Sequence, residues 1–313
     1  MSGEAIFTLG ELLSALVHGT ALTFLFSAFG SLVFLTLLAA PAMGRMGPAD
    51  RSMIERRGCA LARVSLALAV PGELAWLLFE AGVLAGATDP AIMLRALPVV
   101  ALKTRFGHLV LAQALALAAA LLILGGKRRG ARPILAAGLA GFATLLEAWH
   151  LHAAAMYAGP SFFLVCETLH VLAAALWLGS LLPLAFFVRA ATPAAALAVA
   201  HRYSAIAAPA VVVLAATAFW QGLVLVGSVP ALAFTAYGRL VVVKILVFMV
   251  LIAFALRHRF RLTPALAAGD PHSVRRLLGR SIFAEAACGV LIVLVAAVLA
   301  SLGPPAMASM AIG

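Results

Sequence analysis

The chain has 313 residues, of which 65% are hydrophobic and only 11% are charged, whereas soluble domains carry about 25% charged residues. A chain this apolar could not cover a water-exposed surface, so a soluble protein is excluded and a membrane protein is indicated. The net charge of +11 does not indicate nucleic-acid binding, because the basic residues lie in short loops between apolar runs and no basic stripe alternates with aromatic residues.

Eight apolar stretches are long enough to cross about 30 Å of hydrocarbon at about 1.5 Å per residue. In chain order they cover residues 12–40, 59–86, 104–125, 133–158, 162–189, 202–228, 236–256 and 279–302. The fourth and fifth are separated by a Gly159-Pro160 turn signal. We therefore predict an all-α fold, a polytopic transmembrane bundle of about eight helices that forms a single domain over residues 1–313.

The distribution of basic residues predicts the orientation of these helices. One set of loops carries 17 of them: Arg45, Arg51, Arg56, Arg57, Arg63, Lys127, Arg128, Arg129, Arg132, Arg189, Arg202, Arg257, Arg259, Arg261, Arg275, Arg276 and Arg280. The opposite loops carry four: Arg95, Lys103, Arg105 and Arg239. The positive-inside rule then places both termini outside, which is the periplasm for a protein of the bacterial inner membrane. The N-terminus has no basic segment before its first apolar run, so no cleavable signal peptide is predicted.

Ionisable side chains within the spans are the first candidates for function, because they are costly in lipid. Five of the eight histidines fall in the predicted outer half of the membrane: His18, His108, His150, His152 and His170. The other three, His201, His258 and His272, fall at the inner surface, where solvation explains them. The sequence therefore predicts a layer of imidazoles near the outer face.

Other metal-ligand types accompany this layer. Glu147, His150, His152 and Met156 lie in the predicted fourth helix, and Cys166, Glu167 and His170 lie in the fifth. Pairs three or four residues apart share a helix face, whereas His150 and His152 would point about 200° apart on a regular helix. Glu80 lies in the outer turns of the second helix. Imidazole, thiolate and thioether together suit copper, above all Cu(I).

The remaining polar and sulfur-containing residues have simpler explanations. Glu285 is predicted to be a structural partner for Lys244 or for an arginine. The four tryptophans are predicted to pack or to anchor the interfaces. Met307 and Met310 lie in a tail predicted to be outside, where they could contact arriving copper.

Several motifs in the second half of the chain resemble the CopD family of copper-resistance membrane proteins. The stretch from His170 to Gly179 resembles the family signature His-x-x-Ala-Ala-x-x-Trp-x-Gly, and His152-Ala-Ala-Ala resembles its Gly-His-Ala-Ala element with leucine in place of glycine. Arg202-Tyr-Ser and Tyr237-Gly followed by Lys244 match two further family patterns. The resemblance is strongest over 140–305.

This resemblance implies a copper permease, not an enzyme, that takes up copper from the periplasm, together with a separate periplasmic copper binder similar to CopC. The predicted metal ligands are His18, His150, His152, His170, Cys166, Glu167 and Met156, with His108, Glu147, Glu80 and Lys244 as secondary candidates. The alternative is a b-type haem cytochrome that exchanges electrons with quinone, in which His18, His108, His152 and His170 would supply axial ligands.

Overall fold

The computed structural model describes residues 8–44, 46–126, 131–150, 160–268 and 271–306, and over these ranges the chain is helical with no strand. The helices are α1 Leu9–Met43, α2 Pro48–Leu84, α3 Pro90–Lys103, α4 Arg105–Gly125, α5 Arg132–Glu147, α6 Pro160–Gly179, α7 Leu181–Ala190, α8 Pro193–Val226, α9 Val229–Phe234, α10 Ala236–Arg257, α11 Thr263–Ala268 and α12 Pro271–Ala300. A π-helical segment, Phe34–Ala39, lies within α1, and a second, His258–Leu262, joins α10 to α11.

Within the described residues, seven helical stretches are long and apolar enough to cross a membrane. They are α1, α2, α4, α6 with α7, α8, α10 with α11, and α12. These helices confirm the predicted all-α polytopic bundle.

Within the described residues, the helix of the fourth predicted span, 133–158, ends before His150. Helix α5 ends at Glu147, and at 16 residues it measures about 24 Å, which is less than the hydrocarbon thickness. After it the backbone tightens, since the N–H groups of Ala148, Trp149 and His150 donate to carbonyls three residues earlier. The prediction that His150 lies within a helix is therefore wrong. Residues 151–159 lie outside the described part of the chain.

Besides α11, two short helices form where the sequence predicts only loops. Helix α3 begins after Asp89, whose side chain accepts hydrogen bonds from the N–H groups of Ala91 and Ile92. It buries Met93, Val100 and Ala101 along one side. Helix α9 has six residues, and Ser228 caps its N-terminus. Both are too short to cross the membrane.

Helix α1 is the centre of the bundle and contacts α2, α5, α6 and α12. Its crossing with α6 is very close, because a Cβ atom at Gly30 or at Gly179 would overlap the backbone of the opposite helix. The hydroxyl of Ser180 donates to the carbonyl oxygen of Gly30 at the same crossing, with a separation of 3.1 Å. This contact fixes the two helices that carry His18 and His170.

Spans that follow one another in the chain run in opposite directions, so the bundle has two distinct ends. We call the end with the start of α1, the end of α2, the start of α4, the end of α5 and the start of α6 the arginine-poor end, because the loops predicted to be outside lie there. The opposite end, with the start of α12, is the arginine-rich end. Apolar side chains, including Leu25, Leu66, Leu117 and Trp177, fill the interior between the two ends.

Candidate metal centre

A buried hydrogen-bonded pair joins α1 to the end of α5 at the arginine-poor end. The Nε2 atom of His18 lies 2.9 Å from Oε1 of Glu147, and the two side chains are only 11% and 8% exposed. A buried carboxylate is costly unless it is paired and hydrogen-bonded, and here the imidazole supplies the partner. The sequence placed Glu147 only among secondary candidates, whereas the structure puts it in direct contact with His18.

Gln113 on α4 extends this pair to a second histidine. Its Nε2 atom donates to Oε2 of Glu147 at 3.1 Å and to the carbonyl oxygen of Ala143 at 3.1 Å. Its Oε1 atom lies 2.6 Å from Nε2 of His150. Since an amide oxygen only accepts, the hydrogen of that bond belongs to His150. The result is a chain of four side chains, His18, Glu147, Gln113 and His150, which we call the outer chain.

Aromatic rings enclose the outer chain. The imidazole of His18 is stacked on the indole of Trp76, with centroids 3.6 Å apart and planes inclined by 7°. Trp76 also meets His150 and Phe106 edge to face, at 4.9 Å and 4.8 Å. Trp76 was predicted to be a packing or interface residue, but it packs against both imidazoles of the site. Stacking of this kind fixes the ring planes and excludes water from one side.

Two carboxylates on α2 lie along the same helix face as Trp76. Glu80 accepts a hydrogen bond from the hydroxyl of Ser14, with a separation of 2.8 Å, closer to the helix end. Glu73 lies deeper and has no exposed surface, and within the described part of the chain neither of its carboxylate oxygens has a hydrogen-bond partner. The spacing of three residues from Glu73 to Trp76 and of four from Trp76 to Glu80 is the sequence signal that could have placed Glu73 on this face.

A second group of polar side chains lies between α6 and α8 at the same end. Nδ1 of His170 is 2.9 Å from the hydroxyl oxygen of Thr217, and that hydroxyl donates within its own helix to the carbonyl oxygen of Val213 at 2.7 Å. The imidazole is therefore the donor to Thr217, and in the neutral ring the lone pair lies on Nε2. This is the nitrogen that could bind a metal.

Glu167 and Lys244 complete the second group. Nε2 of Gln221 donates to Oε2 of Glu167 with a separation of 2.6 Å. Lys244 on α10 interacts electrostatically with Glu167 and His170, and Glu147 of the outer chain also acts on Glu167. The two groups therefore belong to one polar layer. Cys166 is buried with a free thiol beside Glu167.

Several predicted ligands fall elsewhere. His108 is exposed, and its Nε2 atom contacts the carbonyl oxygen of Leu102 at 3.1 Å, so it is not part of the outer chain. His152 and Met156, and the tail residues Met307 and Met310, lie outside the described residues. Among the residues that are described, no group of three or more His, Cys, Asp or Glu side chains is close enough to hold a metal ion.

The arginine-rich end holds a different polar cluster. Oε2 of Glu285 lies 2.9 Å from Nδ1 of His258, and the side chains are 1% and 12% exposed. The expected partners of Glu285 were Lys244 or an arginine, and the expected setting of His258 was solvent. Both expectations are wrong. Lys244 lies at the other end of the bundle beside Glu167. His258, the first residue of the π-helical segment after α10, packs against Glu285 of α12.

These observations define a class: a polytopic membrane protein whose spans carry buried histidine and carboxylate side chains concentrated at one end. The family of Copper resistance protein D matches residues 197–299, and the Copper resistance protein D-like, N-terminal domain matches residues 8–161. The chain belongs to the CopD family of copper resistance proteins. The two matched regions include every residue of the outer chain, as well as Thr217 and Lys244. No curated protein and no solved structure matches the chain.

Proposed function

We propose that this protein is a copper permease of the bacterial inner membrane that takes up copper from the periplasm through the arginine-poor end of the bundle. The observation that carries the proposal is the outer chain, in which the buried imidazole of His18, the half-buried imidazole of His150, a carboxylate and an amide are joined by hydrogen bonds. Imidazole is a common copper ligand, and membership of a copper resistance family makes copper the cargo to consider first.

The hydrogen bonds of the outer chain indicate which ring nitrogens of His18 and His150 would bind copper. In the structure, Glu147 occupies Nε2 of His18, and Gln113 occupies Nε2 of His150. A copper ion that binds either imidazole in its neutral form takes the lone pair of one ring nitrogen, while the other nitrogen keeps a hydrogen-bond acceptor. Glu147 and Gln113 are suited to this supporting role, because each contacts a different histidine.

His170 offers the next position for a copper ion. Thr217 holds Nδ1, so Nε2 is the nitrogen available for a metal, and Cys166 lies on the same helix four residues earlier. His152 and Met156 are proposed to add imidazole and thioether ligands, which favour Cu(I). A separate periplasmic copper-binding protein, similar to CopC, is the proposed donor of the ion, and both termini of the chain are proposed to face it.

A copper titration of the purified protein tests the proposal. Metal-free protein in detergent is titrated anaerobically with Cu(I) in the presence of a competing chromophoric chelator. We expect stoichiometric binding by the wild type and loss of most binding in His18→Ala and in His170→Ala. His201→Ala is the matched control, because His201 is exposed at the arginine-rich end. Wild-type affinity in both site variants would overturn the assignment of these ligands.

Uptake is tested separately from binding. Purified protein is reconstituted into vesicles, and the copper that enters the lumen is measured against protein-free vesicles and against the His18→Ala variant. Entry that depends on His18 supports a permease. Tight binding without entry would show that the protein holds copper without transporting it.

A further inference from the structure

The cluster at the arginine-rich end is separate from the outer chain and has a different composition. It contains Glu285 of α12, which is 1% exposed, and His258, which opens the π-helical segment after α10. A π-helical turn widens the backbone and often occurs at functional positions. No copper-type sulfur ligand is part of the contacts that the structure describes here, so the cluster needs its own explanation.

Each ring nitrogen of His258 faces a polar side chain, and this geometry is compatible with both protonation states of the ring. Nδ1 faces Oε2 of Glu285 at 2.9 Å, and Nε2 faces the hydroxyl oxygen of Ser281 at 2.8 Å. A serine hydroxyl can donate to the lone pair of a neutral imidazole or accept from an imidazolium. The ring can therefore gain or lose a proton without losing either partner, which requires only rotation of the Ser281 hydroxyl.

The charged and titratable groups around Glu285 leave His258 as its closest cationic partner in the described structure. Tyr203 on α8 interacts with Glu285, and its hydroxyl donates to the carbonyl oxygen of Trp177 at 3.1 Å. Arg189 on α7 is directed at the ring of Phe283, 5.7 Å from its centroid. Arg259 faces the hydroxyl of Ser204 at 3.3 Å. The charge of Glu285 is thus balanced when His258 carries a proton.

We propose that His258, Glu285 and Ser281 form a proton-binding site in the half of the bundle opposite the outer chain. Protons reach it from the arginine-rich side through His258, the more exposed of the two ionisable members. The site also supplies the proton that is exchanged for copper, a role that rests on the proposed permease function. Exchange of one proton for one Cu(I) ion moves no net charge across the membrane.

The proton site is tested without copper. Protein labelled with ¹⁵N-histidine is followed by NMR in detergent, and the His258 signal is identified by its loss in His258→Gln. Spectra are recorded across the range from about pH 5 to pH 8, and we expect the His258 signal to change with pH and to shift in Glu285→Gln. The signal of exposed His201 is the internal control and should not shift in that variant. A His258 signal that is constant across the range, or unaffected by Glu285→Gln, would overturn the proposal.

The coupling to copper is tested in vesicles that contain a pH-sensitive dye. The rate of copper uptake by the wild type should change several-fold when a pH gradient is imposed. In Glu285→Gln the rate should no longer respond to the gradient, while copper binding in detergent stays at the wild-type level. Glu55→Gln, which alters a half-exposed carboxylate paired with Arg51, is the matched control. Retained gradient dependence in Glu285→Gln would overturn the coupling. Absence of copper uptake by the wild type would overturn the permease, and the NMR titration would still decide the proton site.

Discussion

The imidazole of His18 lies flat on the indole of Trp76, with ring centroids 3.6 Å apart. This contact joins α1 to α2 at the depth where Glu147 reaches His18 from α5. It makes Trp76 part of the wall of the candidate metal centre, since the same indole also meets His150 edge to face. The ring planes of both histidines therefore depend on a residue that has no ligand atom of its own.

Substitutions of Trp76 test whether its indole orients the histidines of the candidate metal centre. Trp76→Ala removes a large buried side chain, so we expect a loss of about 3–5 kcal/mol in stability together with weaker copper binding. Trp76→Phe keeps a ring against His18 and should retain more of both. Thermal unfolding and the Cu(I) titration measure the two effects. Equal copper affinity in Trp76→Ala and wild type would show that stacking does not orient His18.

Gln113 is expected to position ligands without binding the metal itself. Gln113→Leu removes the donor to Glu147 and the acceptor for His150. Loss of a hydrogen-bond partner that orients a metal ligand typically lowers affinity 10- to 100-fold, and we expect a change of about that size. The Cu(I) titration measures it. Complete loss of binding would instead identify Gln113 as a ligand. An unchanged affinity would show that the outer chain is not part of the copper site.

Replacing Glu73 by an apolar residue is expected to stabilise the protein, whereas Trp76→Ala is expected to destabilise it. Its carboxylate is fully buried and has no hydrogen-bond partner among the residues that the structure describes, so the side chain is costly in the folded protein. Glu73→Leu should raise the midpoint of thermal unfolding, because it removes an unsatisfied buried polar group whose desolvation costs about 1–3 kcal/mol. Glu147→Leu is the comparison, because it breaks contacts with His18 and Gln113 and should lower the midpoint. A lower midpoint for Glu73→Leu would contradict the assignment of Glu73 as unpartnered.

Because α1 and α6 cross closely, adding a side chain at Gly179 is expected to destabilise the protein strongly. A Cβ atom at this position would overlap the backbone of Phe26, which cannot move without displacing α1. Gly179→Ala should cost more than about 4 kcal/mol, in the exceptional range for a single substitution. Gly222→Ala is the matched control, because nothing lies within 4 Å of a Cβ atom there. Size-exclusion profiles and thermal unfolding in detergent measure both. Equal stability of the two variants would contradict this helix packing.

The nature of the bound group can be read from the absorption spectrum and metal content of one purified sample. We expect copper and no Soret band. A Soret band with stoichiometric iron would identify the protein as a haem cytochrome and would make the same histidines axial ligands. The measurement needs no variant, and therefore it should be made first.

Much of the fold was predictable because lipid imposes a simple rule on sequence. Backbone polar groups must be satisfied within a helix, and side chains must be apolar over about 20 residues, so length and hydropathy locate most spans. The rule does not predict the helix end at Glu147, where the apolar run continues but residues 148–150 are no longer α-helical. It also missed α3, because 14 residues with two charges resemble a loop when only hydropathy is considered.

The candidate site was predictable in part for a related reason. Ionisable residues in apolar spans are rare enough to be noticed, so His18, Glu147, His150 and His170 could be named from sequence. Gln113 and Trp76 could not, because a lone amide and a lone tryptophan in a span have several ordinary explanations. Their roles follow from contacts between distant parts of the chain, such as Gln113 with Glu147 and Trp76 with His18 and His150.

The sequence by itself determined the membrane class, the all-α bundle, the end of the bundle that holds most histidines, and the resemblance to the copper resistance family, since each of these follows from local composition or from short motifs. Only the tertiary structure decided which side chains meet. It paired His18 with Glu147, His170 with Thr217, and His258 with Glu285. The physical reason is that helix rotation and crossing, fixed by contacts such as Gly30 against Gly179, select one partner for each buried polar group, and sequence spacing along a single helix does not contain that information.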